Sequence, residues 1–141
     1  MTPARTKKII ARIGLALALA LVLAGASSAQ TLVCPAARDL KKQNGWWTAP
    51  GGWQQRTDYK APTPAARVSE FTGASFEGDL KGPGRLMCQY LVEGQPGVDY
   101  TLIFHPSKGG PMDYDWDCPP FKQDITCTCV GLKPRDCEVR N

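Results

Sequence analysis

An α+β fold is predicted for this chain: one short N-terminal helix packed on an antiparallel β-sheet, stabilised by disulfides. Three observations predict it. The run Arg85-Leu-Met-Cys-Gln-Tyr-Leu-Val92, the turn-rich Glu93-Gly-Gln-Pro-Gly97 and the run Val98-Asp-Tyr-Thr-Leu-Ile-Phe-His105 read as an antiparallel hairpin. The stretch from Cys34-Pro35 to Asn44-Gly45 carries apolar residues at helical spacing. Six cysteines, an even count, all lie beyond a leader-like N-terminus, which implies disulfides.

The first 29 residues read as a secretory signal peptide. Arg5, Lys7, Lys8 and Arg12 precede an apolar run from Ile13 to Gly25, and small residues end at Ala29. That run is shorter than the ~20 residues a membrane-spanning helix needs. Bulky Val33 before Cys34 argues against a lipidated cysteine there. Residues 30–141 are then a single disulfide-rich domain, periplasmic or secreted. Of 17 Lys and Arg, four lie in the leader, and the rest balance the 13 Asp and Glu. Bulk charge therefore gives no support for nucleic-acid binding.

In the helix reading, Pro35 occupies the first turn, Lys41 and Lys42 face the C-terminal dipole, and Asn44-Gly45 forms the left-handed cap. Ala36, Ala37 and Leu40 give only a narrow apolar stripe, so the helix must lie against a sheet. Next, Pro50-Gly51-Gly52 between Trp46-Trp47 and Trp53 predicts two short strands joined by a tight turn, with Trp46 and Trp47 on opposite faces. Residues 54–64 read as a surface loop. Ala66 to Phe71 alternates as a strand, and glycine-rich 72–84 is expected to turn, with Phe76 tucked inward. No phosphate-binding GxxxxGK[ST] pattern accompanies these glycines.

In the hairpin, the expected core face is Leu86, Cys88, Tyr90, Leu102 and Phe104, and the other face is mixed. His105, the sole histidine, is expected to be a solvated residue at a strand end, because no Ser or Cys arrangement supplies it with a nucleophile. Met112 to Cys118 alternates strictly, with Asp113, Asp115 and Asp117 on one side. Those carboxylates invite a calcium reading, but Cys118 stands where an EF-hand loop needs Gly, so a solvated acidic edge strand is the expectation.

Cys127 and Cys129 are too close in sequence to bond to one another without strain, so each should seek Cys118 or Cys137. Cys34 with Cys88 is the first choice for the remaining pair, while the other pairings stay open. A zinc site built from Cys118, Cys127, Cys129 and Cys137 lacks the usual Cys-x2-Cys knuckles. No metal and no other cofactor is expected.

The order Cys34-Pro35, Gly45-Trp46, Gly52-Trp53, Phe71-x-x-Ala74 and Cys88-x-Tyr90 resembles small uncharacterised exported proteins of Gram-negative bacteria, some linked to type IV secretion in intracellular species. The resemblance covers residues 34–104, and the cysteine-rich tail departs from it. It implies export and carries over no catalytic residue. The expected role is a non-catalytic periplasmic or secreted interaction module, without a stable membrane anchor, that binds a protein partner through exposed Trp47, Trp53 and Trp116. The alternative is an exported hydrolase or carbohydrate-binding accessory using the same tryptophans beside Asp113, Asp115 or Asp117.

Overall fold

The computed structural model describes residues 30–112, 115–119 and 125–141. The expected signal peptide and Asp113 lie outside the described residues. Ten strands are described: β1 (Thr31–Leu32), β2 (Lys41–Gln43), β3 (Trp46–Ala49), β4 (Trp53–Gln55), β5 (Arg67–Gly78), β6 (Gly84–Glu93), β7 (Tyr100–Ser107), β8 (Trp116–Asp117), β9 (Ile125–Cys129) and β10 (Val139–Arg140). Eight form one antiparallel sheet in the order β2-β3-β4-β7-β6-β5-β9-β8. The other two, β1 and β10, make a separate two-stranded clasp that pairs Thr31 with Arg140 and Leu32 with Val139.

The expected helix is absent, which corrects the α+β assignment to a mostly antiparallel β fold. Only a single 3-10 turn, Ala37–Asp39, forms within that stretch, and no helix packs on the sheet among the described residues. The cause is Asn44-Gly45. Both residues adopt positive φ, 51° and 80°, and Gln43 pairs with Trp46 directly across them. Positive φ at both central residues is the requirement of a two-residue hairpin turn, for which Asn-Gly is the strongest short signal. Lys41 to Gln43 is thereby drawn into strand β2.

Three other sequence expectations fare differently. The turn at Gly51 and Gly52, both with positive φ, joins β3 to β4 as expected. The glycine-rich stretch does not turn at Thr72: β5 continues to Gly78, with irregular register around Phe71 and Gly73, and the chain reverses only between Gly78 and Gly84. Glycine within a strand marks such a bulge. Phe76 is buried as expected.

The hairpin of β6 and β7 is the centre of the sheet, but two of its five expected core residues are reassigned. Cys88 opposes Ile103 and Tyr90 opposes Thr101, so Thr101 and Ile103 are buried with Leu86, Cys88 and Tyr90. Leu102 and Phe104 stand on the opposite face, half-buried. A one-residue change of register transfers a whole strand to the other face. Here the register continues to the mouth of the loop, where Val92 N–H donates to the Asp99 carbonyl at 2.9 Å.

The inner face gathers Trp47, Trp53, Phe76, Leu86, Tyr90, Ile103, Trp116 and Ile125 into one buried cluster. Its second layer is irregular chain and the β1–β10 clasp in place of a helix: Leu32, Cys34, Leu40, Ala66, Cys137 and Val139 complete the cluster. Disulfides pin those segments. Cys34 bonds to Cys88, the expected pair, while Cys129–Cys137 ties the C-terminal segment to β9 and Cys118–Cys127 closes the edge. With no free cysteine, no zinc-binding thiolate set exists. Each bridge contributes about 2–4 kcal/mol, a large share of the stability of a domain this size. The bridges accord with an oxidising, extracytoplasmic environment, and no helix among the described residues is long and apolar enough to cross a membrane.

Candidate functional site: the outer face of the sheet

The three tryptophans expected to be exposed are core residues. Trp47, Trp53 and Trp116 retain 4%, 5% and 8% of their surface. Lys42 Nζ lies 5.2 Å from the Trp47 ring centre and donates to the Thr63 and Pro64 carbonyls, each at 2.7 Å, so this cation fixes residues 63–64 over the ring. Trp53 packs at a tilt against His105 with ring centres 5.3 Å apart. The Nε2 atom of His105 meets the Gly51 carbonyl at 2.7 Å. His105 is thus a clamp between β7 and the β3–β4 turn, where sequence had placed a solvated loop residue.

The candidate surface is instead the face the irregular layer leaves open. Register aligns its side chains in rows across the strands: Thr48, Gln54, Phe104, Met87, Ser75, Thr128 and Asp117 oppose one another in sequence from β3 to β8. Down the hairpin the same face shows Leu91 beside Tyr100, Gln89 beside Leu102, Met87 beside Phe104, and Arg85 beside Pro106. Leu91 and Tyr100 are 39% and 43% exposed. Their strip is framed by cations and aromatics. Arg85 stands over the Phe104 ring at 6.0 Å, and Tyr59 meets Tyr100 edge-on at 5.9 Å. Arg56 grips Asp58 through two hydrogen bonds of 2.9 and 2.7 Å and touches Met87 Sδ at 3.6 Å. The guanidinium holds the Asp58 carboxyl below the ordinary carboxylate range.

At the β2–β4 end of this face lies a cleft of about 370 Å3. Trp46, half-buried, forms one wall, and Gln43, Asn44, Thr48, Gln54 and Thr57 supply amides and hydroxyls. Sequence reading puts Trp46 on the face opposite Trp47 but assigns the binding role to Trp47. The signal for Trp46 was the Asn-Gly turn, which fixes the phase of β3 and turns Trp47 inward.

Asp115 and Asp117 are exposed on and beside edge strand β8, the disposition expected of an acidic edge. Among the described residues no group of three His, Cys, Asp or Glu converges to hold a metal ion. Set against known proteins, the chain matches no family model, no curated sequence and no solved structure.

Proposed function

We propose that the chain is a non-catalytic binding module that engages a protein partner through the outer face of its sheet. One observation carries the reading: a strip of exposed Leu91 and Tyr100 with half-buried Leu102 and Phe104, underlain by buried Met87 and framed by Arg56, Arg85 and Tyr59, runs along the central hairpin. Aromatic residues, Met and Arg are enriched at protein interfaces, and apolar centres with polar rims are their usual anatomy. The strip also lies on the most extensively paired strands, so it is held in one shape before any partner arrives. Exposed carboxylates on the edge strand favour this module over the hydrolase alternative.

The compartment belongs to the same proposal. The leader pattern and the resemblance to exported Gram-negative proteins argue for the periplasm or the cell exterior.

A photo-crosslinking residue placed at Phe104 in the producing cell tests the reading. A discrete protein adduct is expected from Phe104 and not from exposed Ser69 on β5. Leu91→Asp with Tyr100→Ala, both at exposed positions, should abolish that adduct without lowering Tm. Adducts that are identical from both positions, or that survive the double substitution, would overturn the assignment.

A further inference from the structure

We infer that the Trp46 cleft is a binding site for a neutral oligosaccharide, with one pyranose ring stacked on the indole. The inference goes beyond the protein-partner reading and rests on a different part of the sheet.

Of the four tryptophans, three complete the core, while Trp46 presents a large apolar ring beside a cleft. An indole that is apolar on its face and flanked by polar groups suits a ligand with the same duality. A pyranose has such a character, with C–H bonds on its faces and hydroxyls around its rim. Each sugar hydroxyl both donates and accepts, and so do the amides of Gln43, Asn44 and Gln54 and the hydroxyls of Thr48 and Thr57. The cleft volume falls within the range of small-molecule sites.

Charge narrows the ligand class. No charged side chain lines the cleft. Of the nearby cations, Lys42 is committed to the Thr63 and Pro64 carbonyls and Arg56 to Asp58, while exposed Lys41, across from Thr48, stands outside the lining at the rim. An anionic sugar or a phosphate would find no counter-charge in the cleft walls and only Lys41 at the rim, whereas a neutral glycan needs none.

The walls are set in advance. Trp46 opens β3 and pairs with Gln43 of β2, the Asn44-Gly45 turn fixes one end, and the Trp47 N–H donates to Gln55 Oε1 at 3.0 Å beneath. Gln55 Nε2 in turn donates to the Lys60 carbonyl at 3.2 Å, so the floor amide is held at both ends. A rigid platform lowers the ordering cost of binding.

The test is titration of the disulfide-bonded protein with cellohexaose, chitohexaose and maltohexaose, with a heparin-derived hexasaccharide as the anionic probe. Calorimetry gives affinity, and iodide quenching of tryptophan fluorescence reports on Trp46, the one indole not buried. At least one neutral hexasaccharide should bind and shield Trp46 from iodide. Trp46→Ala should weaken that binding by about tenfold or more, the worth of one aromatic stack, and Trp46→Tyr should retain most of it. Gln54→Ala, at an exposed position, should weaken it with Tm unchanged, which guards against misfolding of Trp46→Ala. Leu91→Asp, on the partner strip, should leave binding intact. Failure of all three neutral sugars to bind, stronger binding of the anionic probe, or undiminished binding by folded Trp46→Ala and Gln54→Ala would overturn the site.

Discussion

Tyr90 shows how much one residue does in a core without a helical layer. Its ring is fully buried edge-on to Phe71, and its hydroxyl donates to the Pro35 carbonyl at 2.7 Å, joining the central strand to the N-terminal segment. Tyr90→Phe should cost about 1 kcal/mol in denaturant unfolding, a typical net hydrogen-bond contribution. Burial, and secondarily the nearby Asp39 charge, pushes the phenol above its ordinary value. The folded state therefore keeps its proton where the unfolded chain releases one. Stability from this group is complete below the unfolded tyrosine value of ~10 and declines as pH rises above it. Tyr90→Phe should flatten that alkaline decline. Tyr59, raised mainly by burial as well, will leave a remainder. His105→Ala, for which the sequence predicts almost no effect on folding, should instead lower stability by ~1 kcal/mol by freeing the β3–β4 turn, detectable as a shifted urea midpoint and greater quenching of Trp53.

Among elements, turn chemistry decided more than strand pattern. Gly45 at φ 80° is required by the β2–β3 turn, so Gly45→Ala should cost about 1 kcal/mol, since an alanine there is strained. Gly84 faces Gly78 across the β5–β6 reversal, and a Cβ on it would collide with the Phe76 ring and come within 2.6 Å of the Glu77 carbonyl oxygen. Gly84→Ala should destabilise by about 1–3 kcal/mol through overpacking, measured by thermal unfolding. The hairpin of β6 and β7 was legible in sequence because alternating apolar residues flank a glycine-proline loop. Its phase was not. Thr101 with Ile103 and Leu102 with Phe104 are both plausible inner sets when β7 is read alone, and only the pairing with β6 chooses between them. The helix expectation failed on Asn44-Gly45, which serves equally as a helix cap or a hairpin turn, and the apolar stripe before it was too narrow to decide. The same ambiguity hid the Trp46 cleft, since the phase of β3 depends on that turn.

For the whole molecule, cross-links replace a packed second layer of regular structure. Replacing Cys34 and Cys88 together with alanine should cost about 2–5 kcal/mol, with faster amide hydrogen exchange through β6 as the N-terminal segment lifts from the inner face. Full reduction should abolish cooperative unfolding. The preferred Cys34–Cys88 pair was legible because it joins the start of the domain to the strand at its centre. The choice between Cys118 and Cys137 as partner of Cys127 was not, because both options close short loops of similar length.

The clasp of β1 and β10 has a consequence for biogenesis. Residues 31 and 32 are among the earliest of the domain to be synthesised, yet their strand partners are residues 139 and 140, and Asn141 N–H donates to the Gln30 carbonyl at 2.8 Å. The opening segment must wait, unlatched, until nearly the whole domain has left the ribosome, so this closure follows the central hairpin however early that hairpin assembles.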